Sequence, residues 1–384
     1  MNHGWEYRKL CDVTPAKSFD GEIEPCENKY WCLNLDKIES DTGRIIEYDY
    51  LESKDLHGSI LKFSKNNVLF SKLRPNLNKV VVPMKDGFCT TELVPLCPIK
   101  DLNRYFLSYY LRNPRFVKLL VDMTGGAKMP RVKMNLFWDC EIPLPKLEIQ
   151  NQIVLELDKL NELVELKRKQ LKDLDALAQS LFYETFGDPI ENPKGWEIFH
   201  LRDLVKEKLS YGSGASGIPY DKKIRYIRIT DIDERGNLKP EIASSPSEYN
   251  SKYMLKHGDI LLARSGATVG KAFLYKKSIG PAIYAGYLIK VSIDTSILNS
   301  IYLYEFTKTA YYWNYIRKSI RGAAQPNVNA QLYGNLLIAV PPLSLQNEFA
   351  KKIEAIEEQK RLIESSIADL ETLLASRMDY WFND

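Results

Sequence analysis

Several features that would assign this sequence to a familiar class are missing from it. No run of 18 or more apolar residues occurs, which argues against a membrane-spanning helix. The opening residues MNHGWEYRKL contain no apolar signal core, so we expect a cytoplasmic protein. The four histidines are scattered, at His3, His57, His200 and His257, without the paired spacing of a zinc enzyme. Membrane and histidine-based metal functions are therefore disfavoured.

Cysteine is missing from the second half of the chain. The six cysteines lie at Cys11, Cys26, Cys32, Cys89, Cys97 and Cys140. They form no Cys-x-x-Cys pair, and no histidine pattern accompanies them. We therefore expect reduced, mostly buried thiols and no metal site.

The sequence also lacks a large excess of positive or negative charge. Lysine and arginine together number 53 and aspartate and glutamate 50, which leaves a net charge of only +3. This balance permits a nucleic-acid partner but does not demand one. With 45% hydrophobic and 27% charged residues, the composition is that of a globular protein long enough for two domains.

What the sequence does contain is an internal duplication. Gly4-Trp5-Glu6 matches Gly195-Trp196-Glu197, and Val68-Leu69-Phe70 matches Ile260-Leu261-Leu262. Late in each copy the offset between matching residues is a constant 196 positions. The matching pairs are Gly126 and Gly322, Pro130 and Pro326, Val132 and Val328, Leu136 and Leu332, and the segments 145–151 and 341–347. A repeat this long and only two copies deep indicates a duplicated domain with pseudo-two-fold organisation.

Each copy consists of a globule followed by a helix. We predict globules at residues 1–146 and 187–342, because short β-type runs such as 30–33, 226–229 and 286–289 are broken there by glycine, proline and asparagine. More helical stretches lie at 104–120 and 300–320. The expected fold class is α+β, with two pseudo-repeated α/β domains separated by two long helices at residues 147–186 and 343–384.

The two long helices carry a narrow apolar stripe. The first is predicted to end at Phe186, before a Gly-Asp-Pro sequence, and only Lys167 and Lys360 interrupt the two stripes. Sustained spacing of three and four residues is typical of a coiled coil. We expect helix–helix packing through Leu157, Leu160, Val164, Leu171, Leu174, Ile353, Ile356, Ile363, Ile367 and Leu370. The alternative is that each helix lies on its own globule.

The motifs in this sequence that resemble catalytic or cofactor-binding motifs are weak. Residues 212–217 fit the pattern GxGxxG, but a charged stretch precedes them and Ile218-Pro219 follows where a helix should begin. Residues 266–272 resemble a phosphate-binding loop that is one residue short and has Ala272 where a serine or threonine belongs. We find no serine-hydrolase elbow, methyltransferase loop or nuclease cluster, so we expect a non-catalytic chain without a cofactor or metal.

Polar and basic loops recur at matched places in both copies. Arginine can bind guanine through two hydrogen bonds, asparagine can pair with adenine, and lysine can neutralise phosphate. We predict DNA contacts from Ser71, Lys72, Arg74, Asn76, Asn78, Lys79, Lys128, Arg131 and Lys133 in the first copy, and from Arg264, Ser265, Thr268, Lys271, Arg321, Gln325, Asn327 and Asn329 in the second. For any single residue, an ordinary solvated loop is the alternative.

The whole chain resembles the specificity subunits of type I restriction–modification systems. The matching features are Trp5 and Trp196, residues 226–232, residues 258–264, and the helix-entry phrase Pro-x-Leu-x-x-Gln at 145–150 and 341–346. Each motif alone is weak. Their duplication in the same order, with a long helix closing each copy, is specific.

That resemblance implies a function. The globules would be target recognition domains, each reading half of a bipartite DNA site, and the helices an antiparallel spacer. Two modification subunits, which use S-adenosylmethionine to methylate adenine, would dock on this chain, and restriction subunits using ATP and Mg²⁺ can join them. Unlike loops in the two copies imply an asymmetric target. The alternatives are an adaptor that binds only proteins, and a cryptic nuclease or methyltransferase.

Overall fold

The computed structural model describes residues 4–15, 19–56, 60–125, 129–233, 236–239, 243–320 and 327–382. The chain divides into two compact units, Met1–Arg168 with Ser365–Asp384, and Lys169–Glu364. Each unit therefore combines one globule with one half of each long helix. The division by sequence pattern, in contrast, kept each helix whole.

The first globule is built from short strands and short helices, and the first long helix follows it. Its strands are β1 (Glu6–Lys9), β2 (Lys29–Leu33), β3 (Asp49–Glu52), β4 (Ile60–Phe63), β5 (Val68–Ser71), β6 (Val80–Val81), β7 (Gly87–Thr90), β8 (Leu93–Leu96), β9 (Thr124–Gly125), β10 (Arg131–Val132) and β11 (Glu141–Leu144). Its helices, among the described residues, are α1 (Leu10–Val13), α2 (Arg104–Arg112), α3 (Pro114–Asp122) and α4 (Met134–Asp139). The main sheets have the strand orders β3-β2-β7-β4 and β6-β5-β8.

The first long helix, α5, spans Leu147–Phe186, as the sequence predicts. It ends because Gly187 adopts a left-handed conformation (φ 82°), which is unfavourable for other residues. The amide of Gly187 donates to the carbonyl of Tyr183 at 2.8 Å, and a Cβ at this glycine would lie 2.6 Å from the ring of Pro193. The predicted glycine stop is therefore confirmed in detail.

The second globule repeats the first and is followed by the second long helix. Its strands are β12 (Glu197–His200), β13 (Ser210–Tyr211), β14 (Gly217–Pro219), β15 (Arg225–Ile227), β16 (Ser244–Pro246), β17 (Ile260–Ala263), β18 (Ala272–Leu274), β19 (Ala282–Tyr284), β20 (Leu288–Val291) and β21 (Leu337–Val340). The helices are α6 (Ser300–Phe306), α7 (Ala310–Ile320), α8 (Ala330–Gly334) and the long α9 (Leu343–Phe382).

Equivalent strand pairs show that the duplication extends to the backbone. The antiparallel pair β1–β11 corresponds to β12–β21, and the pair β5–β8 corresponds to β17–β20. The parallel pair β2–β7 corresponds to the parallel pair β15–β19. Both globules therefore have the same mixed α+β core topology, which confirms the expected fold class.

Two predicted strands differ in their bounds. The run 226–229 leaves the strand conformation after Ile227, because the fully buried Asp231 accepts the Arg228 amide at 2.9 Å and its guanidinium at 2.8 Å, which draws the chain into a turn. The run 286–289 joins a strand only from Leu288, since the amide of Gly286 donates to Ser213 O.

Each long helix contacts the other within each unit. In the first unit, the Glu156 carboxylate accepts hydrogen bonds from Arg377 and, at 3.0 Å, from Trp381. Arg168, later in α5, pairs with Glu371, earlier in α9, at 2.8 Å. The helices therefore run antiparallel in this unit.

The second unit shows the same antiparallel packing. Lys360 pairs with Asp175 at 2.7 Å, whereas the earlier Phe349 packs against the later Phe182 and Phe186, with ring centroids 5.8 and 4.9 Å apart. The alternative in which each helix lies only on its own globule is wrong. The first globule's core includes Leu157 of α5 and residues of α9, and the second globule's core likewise takes residues from both helices.

The predicted helix-packing residues fall into two groups. Those that are buried are Leu157, Val164, Leu171, Ile353 and Ile356. Those that are half-buried are Leu160, Leu174, Ile363, Ile367 and Leu370. Of the two interruptions, Lys167 is half-buried, whereas Lys360 is only 6% exposed and pairs with Asp175 and Glu357.

Candidate nucleic-acid interface

In each globule the loop after a buried strand meets a second, later segment. The carbonyl of Lys72, just after β5, accepts the Val132 amide at 2.9 Å. In the second globule, the carbonyl of Arg264, just after β17, accepts the Val328 amide at 2.8 Å. Single bridges join Leu73 to Arg131 and Ser265 to Asn327. Two sequence-predicted DNA-binding segments are thus brought together on each globule.

The first loop is held in one shape by its own hydrogen bonds. Arg74 and Asn78 both adopt left-handed conformations, with φ of 51° and 48°. The amide of Arg74 donates to Pro130 O at 2.8 Å, and the hydroxyl of Ser71 donates to Leu73 O at 2.9 Å. Left-handed backbone is costly outside glycine and persists where surrounding contacts fix it, often at functional sites.

The predicted contact residues of the first loop divide by exposure. Arg74 and Asn76 are exposed and Lys72 is half-buried. Ser71 is only 3% exposed. The side chains of Asn78 and Lys79 donate to the carbonyls of Arg112 (3.1 Å) and Leu35 (2.7 Å). These last three residues support the loop from within, so the accessible polar groups are Lys72, Arg74 and Asn76.

Arg131 forms a paired interaction that the sequence did not indicate. Its Nε lies 3.2 Å from both carboxylate oxygens of Glu92, and its Nη2 lies 2.9 Å from Oε1. These hydrogen bonds hold the pKa of Glu92 below its ordinary value, so both groups are charged at neutral pH. Lys133 is exposed beside Arg131, just before α4. Lys128 lies outside the described residues.

Arg264 occupies an aromatic setting in the second globule. Its guanidinium carbon lies 4.7 Å from the ring centre of Tyr211, and its amide donates to Tyr287 O at 3.1 Å. The buried Nε has no hydrogen-bond partner among the residues that the structure describes. Tyr287 is 65% exposed. A half-buried cation over the ring of an exposed tyrosine is well suited to stack on or bond to a nucleic acid.

The remaining DNA-contact candidates of the second globule differ in exposure and in the role of their side chains. Asn327 is exposed, and Ser265, Thr268 and Lys271 are half-buried. Asn329 is exposed, but its side chain accepts the Leu332 amide at 2.8 Å and so caps α8. Arg321 and Gln325 lie outside the described residues.

Glu92 and Tyr287 occupy the same place in the two globules. The Glu92 carbonyl accepts the Lys72 amide at 3.0 Å, just as the Tyr287 carbonyl accepts the Arg264 amide. Sequence reasoning missed both residues, together with Tyr211, because each reaches its loop through a long-range contact. The two globules therefore present different side chains on an equivalent backbone.

The weak catalytic motifs lack the structural context that they need. The GxGxxG stretch leads into strand β14 and no helix, and residues Gly266–Thr268 form a single helical turn. No group of three or more histidine, cysteine, aspartate or glutamate residues that could hold a metal ion occurs within the described ranges. No described helix is long and apolar enough to cross a bilayer.

Comparison with known proteins agrees with the duplicated scaffold. A family model described as the type I restriction modification DNA specificity domain matches residues 2–176 and again residues 193–372. The chain therefore belongs to the type I restriction–modification DNA specificity family, and the specificity domain is present twice.

Relatives and solved structures extend along nearly the whole chain. The MjaIX specificity subunit of Methanocaldococcus jannaschii is 24% identical, over 92% of this chain and 87% of that subunit. The MjaVIII specificity subunit of the same organism is 23% identical, over 81% and 79%. The type I S subunit from M. genitalium superposes with a TM-score of 0.59 at 15% identity, over 99% of this chain and 96% of that one, which shows a shared fold. A further chain, from a study of assembly of the type I R-M system, gives 0.60 at 18% identity over 98% and 96%.

Proposed function

We propose that this specificity subunit reads an asymmetric bipartite DNA target, one half with each globule, and that it has no active site of its own. The supporting observation is that equivalent backbone positions carry unlike side chains. These are Lys72, Glu92 and Arg131 in the first globule, and Arg264, Tyr287 and Asn327 in the second. Unlike donors and acceptors select unlike bases, so the half-sites differ.

Binding would combine a nonspecific and a specific component. Exposed cations such as Arg74 and Lys133 attract phosphates, and loop side chains then contact base edges, mainly in the major groove. A net charge of only +3 gives little long-range attraction, so the isolated chain binds DNA weakly. Tight binding then requires the contacts of partner subunits.

The partners and cofactors follow from the same proposal. Two methyltransferase subunits, which bind S-adenosylmethionine, dock on this chain in the cytoplasm, and restriction subunits using ATP and Mg²⁺ join them. The antiparallel helices α5 and α9 set the spacing of the half-sites, much as dimer geometry does in other DNA-binding proteins. The chain itself recognises the DNA half-sites and sets the distance between them.

Loop variants in a host that also expresses the partner subunits would test this function. One variant carries alanine at Lys72, Arg74 and Asn76, and another at Arg264 and Asn327, with methylated adenines mapped across the genome. We expect each variant to relax one half-site and to leave the other intact. The exposed Lys54→Ala is a control that removes one positive charge outside these loops, as the Arg264 and Asn327 variant does within them. If both loop variants left the methylation pattern unchanged, the assignment of reading to these loops would be wrong.

A further inference from the structure

The Glu92–Arg131 pair has a specific orientation. The carboxylate engages Nε and Nη2, which form one side of the guanidinium plane. The side chain of Glu92 is 25% exposed and that of Arg131 47% exposed, so the pair lies at the surface of the interface. Surface ion pairs as a class contribute little to stability, so stability alone does not account for this pair.

This orientation leaves one edge of the guanidinium available. Arginine has five N–H donors in a planar fork, of which Glu92 takes those on the Nε side. Among the residues that the structure describes, Nη1 has no hydrogen-bond partner. Both hydrogens of Nη1 and one of Nη2 therefore point away from the carboxylate as a two-nitrogen donor edge.

We propose that Arg131 reads a guanine in the half-site of the first globule through this free edge, and that Glu92 is the positioning residue that fixes its orientation. The inference rests on the proposed function and deepens it. Guanine presents two acceptors, O6 and N7, to the major groove, and two adjacent guanidinium nitrogens match them. Adenine presents a donor in place of O6, so the same edge rejects it.

The position of the carboxylate supports a positioning role. A carboxylate on a loop that faces DNA repels phosphate and weakens nonspecific binding. Glu92 therefore does not increase the affinity of the loop for the DNA backbone. Its hydrogen bonds restrict the rotamers of Arg131 before DNA arrives, which lowers the entropy cost of binding. The backbone bridge between Leu73 and Arg131 ties the same arginine to the first loop.

The second globule offers an internal comparison. Asn327 stands where Arg131 does, and Tyr287 stands where Glu92 does. Neither position therefore carries an arginine that is hydrogen-bonded to a carboxylate, and we expect the second half-site to lack this guanine contact. Changes to Glu92 or Arg131 therefore affect only one half of the target.

The test uses the full chain assembled with its methyltransferase partners, with methylation of a randomised target library as the readout. For Arg131→Ala we expect the preference for guanine at one position of one half-site to fall about tenfold to a hundredfold. Arg131→Lys should lose part of it, because an ammonium can still donate to O6 and N7 but offers no planar fork for Glu92 to orient. Glu92→Gln should weaken the preference at that same position, and combining it with Arg131→Ala should add little.

A second ion pair on the same globule provides the control for this experiment. Asp139→Asn removes another exposed ion pair of this globule, with Lys9 at 2.8 Å, and should leave the base preferences unchanged. Thermal unfolding confirms that each variant folds. Uniformly weaker methylation of all targets would make Arg131 a phosphate contact and overturn the proposal, as would unchanged preferences or a shift at a base other than guanine. If the unaltered complex showed no sequence preference, the proposed function would fail instead.

Discussion

The side chain of Gln150 accepts a hydrogen bond from the backbone amide of Asn103 at 2.7 Å. Its Nε2 donates to the carbonyls of Asp101 (2.8 Å) and Pro145 (2.7 Å), and the residue is fully buried. Gln346 repeats this with the Asn299 amide at 2.8 Å, 196 positions later. The buried glutamine joins the start of each long helix to the start of a globule helix, because Asn103 and Asn299 cap α2 and α6.

We expect Gln150→Glu to destabilise the first unit by about 2–4 kcal/mol at neutral pH. The substitution keeps the shape but turns a donor that satisfies two carbonyls into a buried charge that repels them. Thermal unfolding of the purified chain measures the loss. Gln152→Glu, on an exposed position of the same helix, is the control and should change stability little. An equal effect of both variants would contradict the buried link.

The carboxylate of Glu156 should stabilise the first unit at neutral pH, and this contribution should be lost in acid. Hydrogen bonds from Arg377, and also from Trp381, lower its pKa. A carboxylate with a lowered pKa contributes stability that is present above the unfolded value of about 4.3 and is lost as the pH falls through the folded value. Glu156→Gln should therefore lower the unfolding temperature at pH 7, and the difference from the unaltered chain should shrink below about pH 4. A difference independent of pH would contradict this.

Glu305 should behave in the opposite way. Burial raises its pKa, although Lys308 at 2.7 Å partly offsets this effect. The charged form is therefore penalised in the fold, and the penalty is greatest above the folded pKa and is relieved as the pH falls through it. Glu305→Gln should unfold at the same or a higher temperature at pH 7, with the difference shrinking in acid. The exposed Glu354→Gln serves as control, and a marked loss of stability specific to Glu305→Gln would show that the charge is needed.

Lengthening both helices should change the spacing of the target but not its bases. Four residues inserted near Leu166 and four near Leu362 add about one turn, or ~6 Å, to each helix. This corresponds to one or two base-pair steps of about 3.4 Å. Methylation mapping should show both half-sites unchanged with a longer spacer. Altered half-sites with the original spacer would mean that the helices do not set the distance.

The sequence predicts those parts of the fold that depend on local patterns. The bounds of α5 follow from Pro145, the apolar stripe and Gly187, all of which act over a few residues. The role of Gln150 could not be derived in this way, because its partner Asn103 lies 47 residues earlier and is found only when the chain folds. The repeat shows a glutamine at both helix entries, at 150 and 346, without giving the reason.

The candidate interface was predictable to a similar extent. Matched polar loops identified Lys72 and Arg264, since both follow a buried strand in their copy. Polarity alone could not separate the exposed Arg74 from Lys79, whose ammonium is bound to a carbonyl within the fold. Nor could it reveal Glu92 or Tyr287, because their proximity depends on strand pairing across the globule.

The most direct test is a map of methylated adenines in one host, with and without this chain, in the presence of its methyltransferase partners. We expect a single bipartite motif that is present only with the chain, with two unlike half-sites at a fixed spacing. An identical methylation map in both strains, or a motif made of one continuous symmetric sequence, would contradict it.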